Sequence, residues 1–293
     1  MRLGSALAVV LICCIVALRP VPAGAERVAF AGAFTWASER PDMGGLSAIL
    51  MREEGGSAWV LTDKGKAFDI RILRNDARIS GIEVLQDAVL VEDAESEDAL
   101  FDSEGLAKGA GDTVYVSFEQ DNLIVQHDLR TGINAPLDTP TAFRGMAENK
   151  GLEALAINDQ GHLFTLAERP RTLGQGFAVW RWDGVSWAQP FHLSARDGFL
   201  AVSAEFGPDG QFYLLERKVT FLGFQSRLRR WSITPDGPQE ETVLFTSRAG
   251  AFANLEGLSI WQNGKGQTVL TMVSDDNFWP FMRMQLVEYV LTE

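Results

Sequence analysis

From residue 28 onward, apolar and β-branched residues come in short runs of four to eight, separated by Gly, Asp, Asn and Pro. Short runs of that kind, spaced roughly 8–12 residues apart, are the pattern of strands joined by turns. The segment Val179-Trp180-Arg181-Trp182-Asp183-Gly184-Val185-Ser186-Trp187 is the clearest hairpin. Its tryptophans alternate along the two arms, and Asp-Gly supplies the positive-φ positions of a tight turn. Turn residues at 158–161, 208–210, 235–237 and 263–266 mark further strand pairs. No long stretch keeps a helical apolar period, and 92–103 reads as an acidic loop.

The runs group into units near 44–98, 102–146, 150–196, 200–247 and 254–291. The third unit is the template, with strands expected at Leu152–Ile157, 162–167, Phe177–Trp182 and 186–193. Four antiparallel strands in each unit of ~50 residues is the blade of a β-propeller. The last unit stops after a third strand at 282–291, and an orphan strand at 28–34 is available to complete it. Pairing the chain's two ends in this way closes the ring and removes two exposed sheet edges. The expected fold is therefore an all-β propeller of five detected blades, with a sixth divergent blade left open. A β-sandwich or two β domains is the competing architecture.

Carboxylates recur at fixed places in these units. One phrase opens a unit: Asp102-Ser103-Glu104-Gly105-Leu106, Gly151-Leu152-Glu153-Ala154-Leu155, Val202-Ser203-Ala204-Glu205-Phe206 and Asn254-Leu255-Glu256-Gly257-Leu258. A worn copy, Met43-Gly44-Gly45-Leu46-Ser47, lacks the acid. A second set ends the following strand: Asp63, Glu119, Glu168, Glu216 and Asp275. The innermost strand of a blade lines the central channel, and its neighbour runs antiparallel, so both sets are expected at one mouth. Carboxylates so gathered need positive charge among them. A hard cation such as Ca²⁺, which takes oxygen ligands, is one source. Lys64, Lys150, Arg169, Arg217 and Lys218, each within three residues of an acid, are another. Alternatively, the glutamates accept hydrogen bonds from backbone N–H groups of the neighbouring blade and only fix blade against blade.

Composition narrows the setting. Residues 1–25 have a basic start, an apolar run and a small-residue Ala23-Gly24-Ala25 end, the form of a cleaved export signal. This places the mature protein in the periplasm or outside the cell, with an uncleaved anchor as the alternative. Both cysteines, Cys13 and Cys14, lie in that segment, so the rest of the chain has no thiol chemistry. The formal charge is −13, and Arg2 and Arg19 leave with the signal. Such an acidic chain is not expected to bind nucleic acid or, once processed, a membrane. The expected partner is a small anionic molecule, and the expected state a monomer.

Several familiar chemistries are absent. There is no Gly-x-Ser-x-Gly elbow, no His-Glu-x-x-His pair, and no Walker or dinucleotide fingerprint. His127, His162 and His192 are isolated.

The phrases Gly44-Gly45-Leu46-Ser47, Leu61-Thr62-Asp63-Lys64-Gly65, Asp102-Ser103-Glu104-Gly105-Leu106-Ala107, Asn149-Lys150-Gly151-Leu152-Glu153-Ala154-Leu155, Leu214-Leu215-Glu216-Arg217, Asn254-Leu255-Glu256-Gly257-Leu258 and Ser274-Asp275-Asp276-Asn277-Phe278 follow one another in an order that resembles the phytase-like domain family, labelled "esterase-like activity of phytase". The resemblance spans nearly all of the chain after the signal. It implies hydrolysis of a phosphoester or ester, and a distant link to six-bladed, calcium-dependent propeller phytases. On that reading Asp63, Glu153 and Asp275 are the catalytic candidates. Glu104, Glu153, Glu205, Glu256, Asp275 and Asp276 are the candidate ligands of a divalent cation. Lys64, Lys150, Arg169, Arg217, Lys218 and Asn277 are the candidate contacts to substrate. Two other readings stay open: a non-catalytic propeller that binds a small molecule, glycan or protein, and a lactonase-like hydrolase with one metal in the channel.

Overall fold

The computed structural model describes residues 27–89, 102–144, 151–172, 174–279 and 282–292. The export segment, the acidic stretch at 92–101 and Lys150 lie outside the described residues. Among the described residues, twenty strands form five four-stranded antiparallel sheets. Strand β1 (Val28–Thr35) comes first in the chain but belongs to the last sheet. Blade one is β2 (Leu46–Arg52), β3 (Ser57–Thr62), β4 (Lys66–Asn75) and β5 (Arg78–Val89). Blade two is β6 (Ser103–Lys108), β7 (Thr113–Phe118), β8 (Leu123–Asp128) and the short β9 (Asn134–Pro136), followed by one helical turn at Thr141–Arg144.

Blade three is β10 (Leu152–Ile157), β11 (Leu163–Ala167), β12 (Phe177–Trp182) and β13 (Trp187–Leu193). Blade four is β14 (Leu200–Phe206), β15 (Phe212–Thr220), β16 (Gly223–Thr234) and β17 (Gly237–Thr246). Blade five is β18 (Asn254–Gln262), β19 (Thr268–Asp275) and β20 (Gln285–Leu291), completed by β1, which pairs antiparallel with β20 from Val28↔Leu291 to Thr35↔Gln285. The ends of the chain thus close a five-bladed propeller as the pattern predicts, and a sixth blade is absent among the described residues.

Burial explains the order of strands within a blade. Residues 152–156 of β10 are all buried, because β10 packs on both faces, whereas β13 on the rim is mostly exposed. The first strands of successive blades touch in the ring β2, β6, β10, β14, β18 and back to β2. The apolar core lies between blades. Tyr213, Leu215 and Leu228 of blade four pack with Leu258, Ile260 and Leu270 of blade five, and Ala156, Phe164 and Leu166 of blade three pack with Ala204, Phe212 and Leu214 of blade four. No helix among the described residues is long and apolar enough to cross a membrane.

A candidate acidic site at one mouth of the channel

Each inner strand carries a β-bulge at the same place. The register with its neighbour slips between Leu46 and Ala48, Ser103 and Leu106, Leu152 and Ala154, Ala201 and Ser203, and Leu255 and Gly257. The extra residue is Ser47, Glu104, Glu153, Val202 and Glu256 in blades one to five. A bulge re-aims a side chain off the pleat, so these five residues form one tier around the mouth. Just beyond the bulge, on the second strand, stand Asp63, Glu119, Glu168, Arg217 and Asp275. Leu200 pairs with Arg217, and Asn254 pairs with Asp275 at the matching place.

Blade four therefore departs from the repeat in both tiers, and two sequence-based alignments are corrected. Glu205 sits three residues past the bulge, toward the far end of its strand. Its carboxylate accepts the Ile260 N–H and the Ser259 hydroxyl (3.5 Å) from blade five. Burial raises its pKa to about 8, and no other carboxylate contributes to that shift. Glu205 thus acts as the blade-to-blade fastener that the sequence left open as an alternative, away from the acid cluster. Glu216, one residue before Arg217, turns into its own blade, where Arg227 and Arg229 hold it.

The remaining acids converge. Glu104 is pushed well above the usual carboxylate range by burial and by the charges of Glu153, Glu256, Asp102 and Glu119. Burial likewise raises Glu153, with Glu119, Glu256 and Glu168 adding to it and Arg217 opposing. Glu256 is raised to about 8 by burial against the pull of Arg217, with Asp275 and Asp63 adding to the rise. Asp63 is raised to about 7 by burial, then by Asp275, Asp102 and Asp276. Glu119 reaches about 7 through burial and Asp102, and Asp275 about 6 through burial and Asp276.

The cation held among these acids is Arg217, which is partly buried. It donates to Glu168 at 3.1 Å, to Asn254 at 3.0 Å and to Glu256. These partners occupy a guanidinium that the sequence offered to substrate. The other sequence candidates lie further out. Arg169 is half exposed and pairs with Glu168 at 2.8 Å. The Lys64 ammonium lies 3.4 Å from the centre of the Phe278 ring, and that of Lys218 lies 5.7 Å from Phe199. Asn277 is exposed, and its N–H donates to Asp275 at 2.6 Å. Asp276 accepts the Gly45 N–H at 2.9 Å and the Phe278 N–H at 3.2 Å, so it ties this loop to the start of blade one.

Two glycine positions make the crowding tolerable. A β-carbon on Gly45, at φ +61°, would lie 2.4 Å from Asp63 Oδ1. The worn Gly44-Gly45 phrase is thus what lets blade one bring in its acid. A β-carbon on Gly105 would lie 2.6 Å from the Leu155 side chain and 2.9 Å from the Glu153 carbonyl oxygen. Gly105→Ala is expected to cost about 1–3 kcal/mol of stability through overpacking, measured by denaturant unfolding; a neutral result would mean that the two inner strands can part there.

Asp102, Glu104 and Glu119 offer carboxylate oxygens that all lie within 4.8 Å of one another. Oxygens spaced so can share an ion bound at ~2.3–2.6 Å, the distance for Ca²⁺. Asp63 Oδ1 is buried with no hydrogen-bond partner. The donor set is all oxygen, negatively charged and short of donors, and it fits a hard divalent cation. The sequence reading did not single out Asp102, which adopts φ +64° beside Ser103, a conformation Asp tolerates better than most residues.

The family model for phytase-like proteins, "esterase-like activity of phytase", matches residues 41–278. No curated protein matches the chain. Among solved structures, a catalytically inactive virginiamycin B lyase from Staphylococcus aureus with quinupristin is similar at 12% identity and a TM-score of 0.45, over 87% of this chain and 69% of that one. A streptogramin B lyase is similar at 14% identity and a TM-score of 0.44, over 86% and 72%.

Proposed function

The chain belongs to the phytase-like family, and on that premise we propose that it is an exported hydrolase of phosphoester or ester bonds, working with a divalent cation, Ca²⁺ foremost, at the acidic mouth. The observation that carries this reading is the gathering of Asp63, Asp102, Glu104, Glu119, Glu153, Glu256 and Asp275 around few cations, with Asp63 Oδ1 buried and unpartnered. Carboxylates whose proton affinity has risen this far call for more positive charge than Arg217 supplies.

Asp102, Glu104 and Glu119 are the first ligands, with Asp63, Glu256 and Asp275 within the same cluster. The cation, when bound, polarises a phosphoryl or carbonyl oxygen. Asp63, at about 7, and Asp275, at about 6, hold or release a proton at their carboxyl oxygens close to neutral pH, as a general acid or base must. Glu153 is the third candidate for that work. Lys64, Arg169 and Lys218 stand on the rim where an anionic substrate arrives; Lys150, the remaining lysine offered by the sequence, lies outside the described residues. Arg217 neutralises Glu168 and Glu256 and so leaves the opposite side of the ring to the cation.

The test uses the processed chain with Ca²⁺, Mg²⁺ or Zn²⁺ and three chromogenic substrates: an aryl phosphate, an aryl ester and a lactone. A cation at a hundredfold excess over its Kd is expected to add about 2.7 kcal/mol to stability, visible as a rise in Tm. Glu104→Gln and Asp63→Asn are expected to remove both this rise and turnover while leaving the circular dichroism spectrum unchanged. Absence of both a cation-dependent rise and turnover would sink the reading and favour an exported propeller that binds a small molecule, glycan or protein.

A further inference from the structure

Blade four carries a prong that the acidic site does not use. Past Arg217, β15 and β16 continue as a two-stranded arm, with Lys218↔Gln225, Val219↔Phe224 and Thr220↔Gly223 in register. Because Arg217 stands at the mouth, the arm projects outward from the mouth-bearing face. Its turn is Phe221-Leu222, where polar residues are the rule. Phe221 is fully exposed, Leu222 is 71% exposed and Val219 69%. The turn is nonetheless firmly built. Thr220 Oγ1 donates to the Gly223 carbonyl at 2.7 Å and accepts the Leu222 N–H at 3.2 Å, and the Gly250 N–H donates to the Phe224 carbonyl at 2.7 Å.

Two cations flank the prong. Lys218 lies in the arm, and Arg248 is exposed in the turn that Gly250 packs against it. Among the described residues neither takes part in an ion pair. On the same face, beside the loop anchored by Asp276, Trp279 is 56% exposed. Large exposed apolar side chains of this kind mark interaction sites. The prong is convex, so it does not suit a small ligand, which needs a concave pocket. Three side chains also fall far short of the ~800 Å² per partner that a stable dimer buries.

We propose that the prong docks the mouth-bearing face on an anionic phospholipid bilayer. Phe221 and Leu222 enter the boundary between headgroups and acyl chains, and Lys218 and Arg248 lie at headgroup level, the arrangement by which interfacial segments bind. The acidity of the whole chain pointed away from membranes, but the acids nearest Lys218 are held by cations, Glu168 and Glu256 by Arg217 and Asp197 by Arg227. Exposed charges beyond a Debye length of about 8 Å are screened at physiological salt. The proposal concerns binding alone and stands apart from whether the mouth hydrolyses anything.

The chain from Glu26 onward holds every described strand and neither native cysteine, and it serves for the test. Vesicles of phosphatidylcholine with one part in three phosphatidylglycerol are sedimented with the wild type and with a Phe221→Ser/Leu222→Ser variant. The wild type is expected to partition onto them, and the variant about tenfold or more weakly, at unchanged Tm. An environment-sensitive dye on Phe221→Cys is expected to shift to the blue on vesicle addition. A wild type that stays in the supernatant, a double variant that partitions within about twofold of it, or a dye that does not shift would each overturn the proposal.

Discussion

Glu216→Gln is expected to cost about 3–5 kcal/mol of folding stability, the usual loss when one partner of a buried ion pair is removed. Both carboxylate oxygens of Glu216 are used. One accepts from Arg227 at 2.8 Å and Arg229 at 2.7 Å, the other from the same two side chains at 3.1 and 2.6 Å. Glu216 and Arg229 are completely buried, and Arg227 is nearly so. Asp197 and Glu241 supply secondary contacts to the two arginines at 2.8 and 3.1 Å. A neutral amide leaves two guanidinium groups inside blade four with too little negative charge. At roughly 2–4 °C per kcal/mol for a domain of this size, calorimetry should find a large fall in Tm.

Glu119→Gln serves as the contrast. It also removes a buried carboxylate, but one that burial and Asp102 make costly to ionise. In chelator at pH 8 it is expected to raise Tm. If both variants fall alike, the distinction between a paired acid inside a blade and an unpaired acid at the mouth is wrong.

That distinction marks the limit of what the residue pattern disclosed. Strand number, blade boundaries and the pairing of the chain's ends were legible, because alternation and turn residues report directly on which backbone is half-buried and where it reverses. The convergence of Glu104, Glu153, Glu256, Asp63 and Asp275 was legible too, because a bulge at a constant place repeats with the blade. Blade four was misread, because Glu205 and Glu216 resemble the repeated acids in sequence while lying off the repeated positions. Distance to the turn held the missing signal. Glu153 lies five residues before Asn158, and it is Val202, not Glu205, that lies five before the matching Gly207. The same count places Arg217, not Glu216, in the second tier. The prong's exposed Phe221 had no local signature, since an apolar turn reads like the end of a core strand until packing shows nothing above it.

Placing Arg217 within the ring gives the second large effect. Arg217→Met removes the charge that opposes the rise of Glu153, Glu256 and Asp275, and it leaves the buried Glu168 with the half-exposed Arg169 as its remaining ion-pair partner among the described residues. The side chain is only 19% exposed, so the loss is about 3–5 kcal/mol near pH 8 without added cation.

The pH dependence fixes the sign. A carboxyl whose pKa is higher folded than unfolded stabilises the fold fully below its unfolded pKa, and that contribution is lost as pH rises through the folded pKa. For Asp63, Glu119 and Glu256, at about 7, 7 and 8 when folded, Tm in chelator should decline between about pH 4 and pH 8. In Arg217→Met the folded pKa values of Glu153, Glu256 and Asp275 move further up, so the decline extends to higher pH and deepens. Added Ca²⁺ should restore more stability to the variant than to the wild type, because the ring it enters is more negative. Thermal melts across pH, with chelator and with Ca²⁺, distinguish this from simple loss of packing. A variant that loses the same stability at every pH and gains no more from the cation than the wild type would mean that Arg217 is not the counter-ion of the ring.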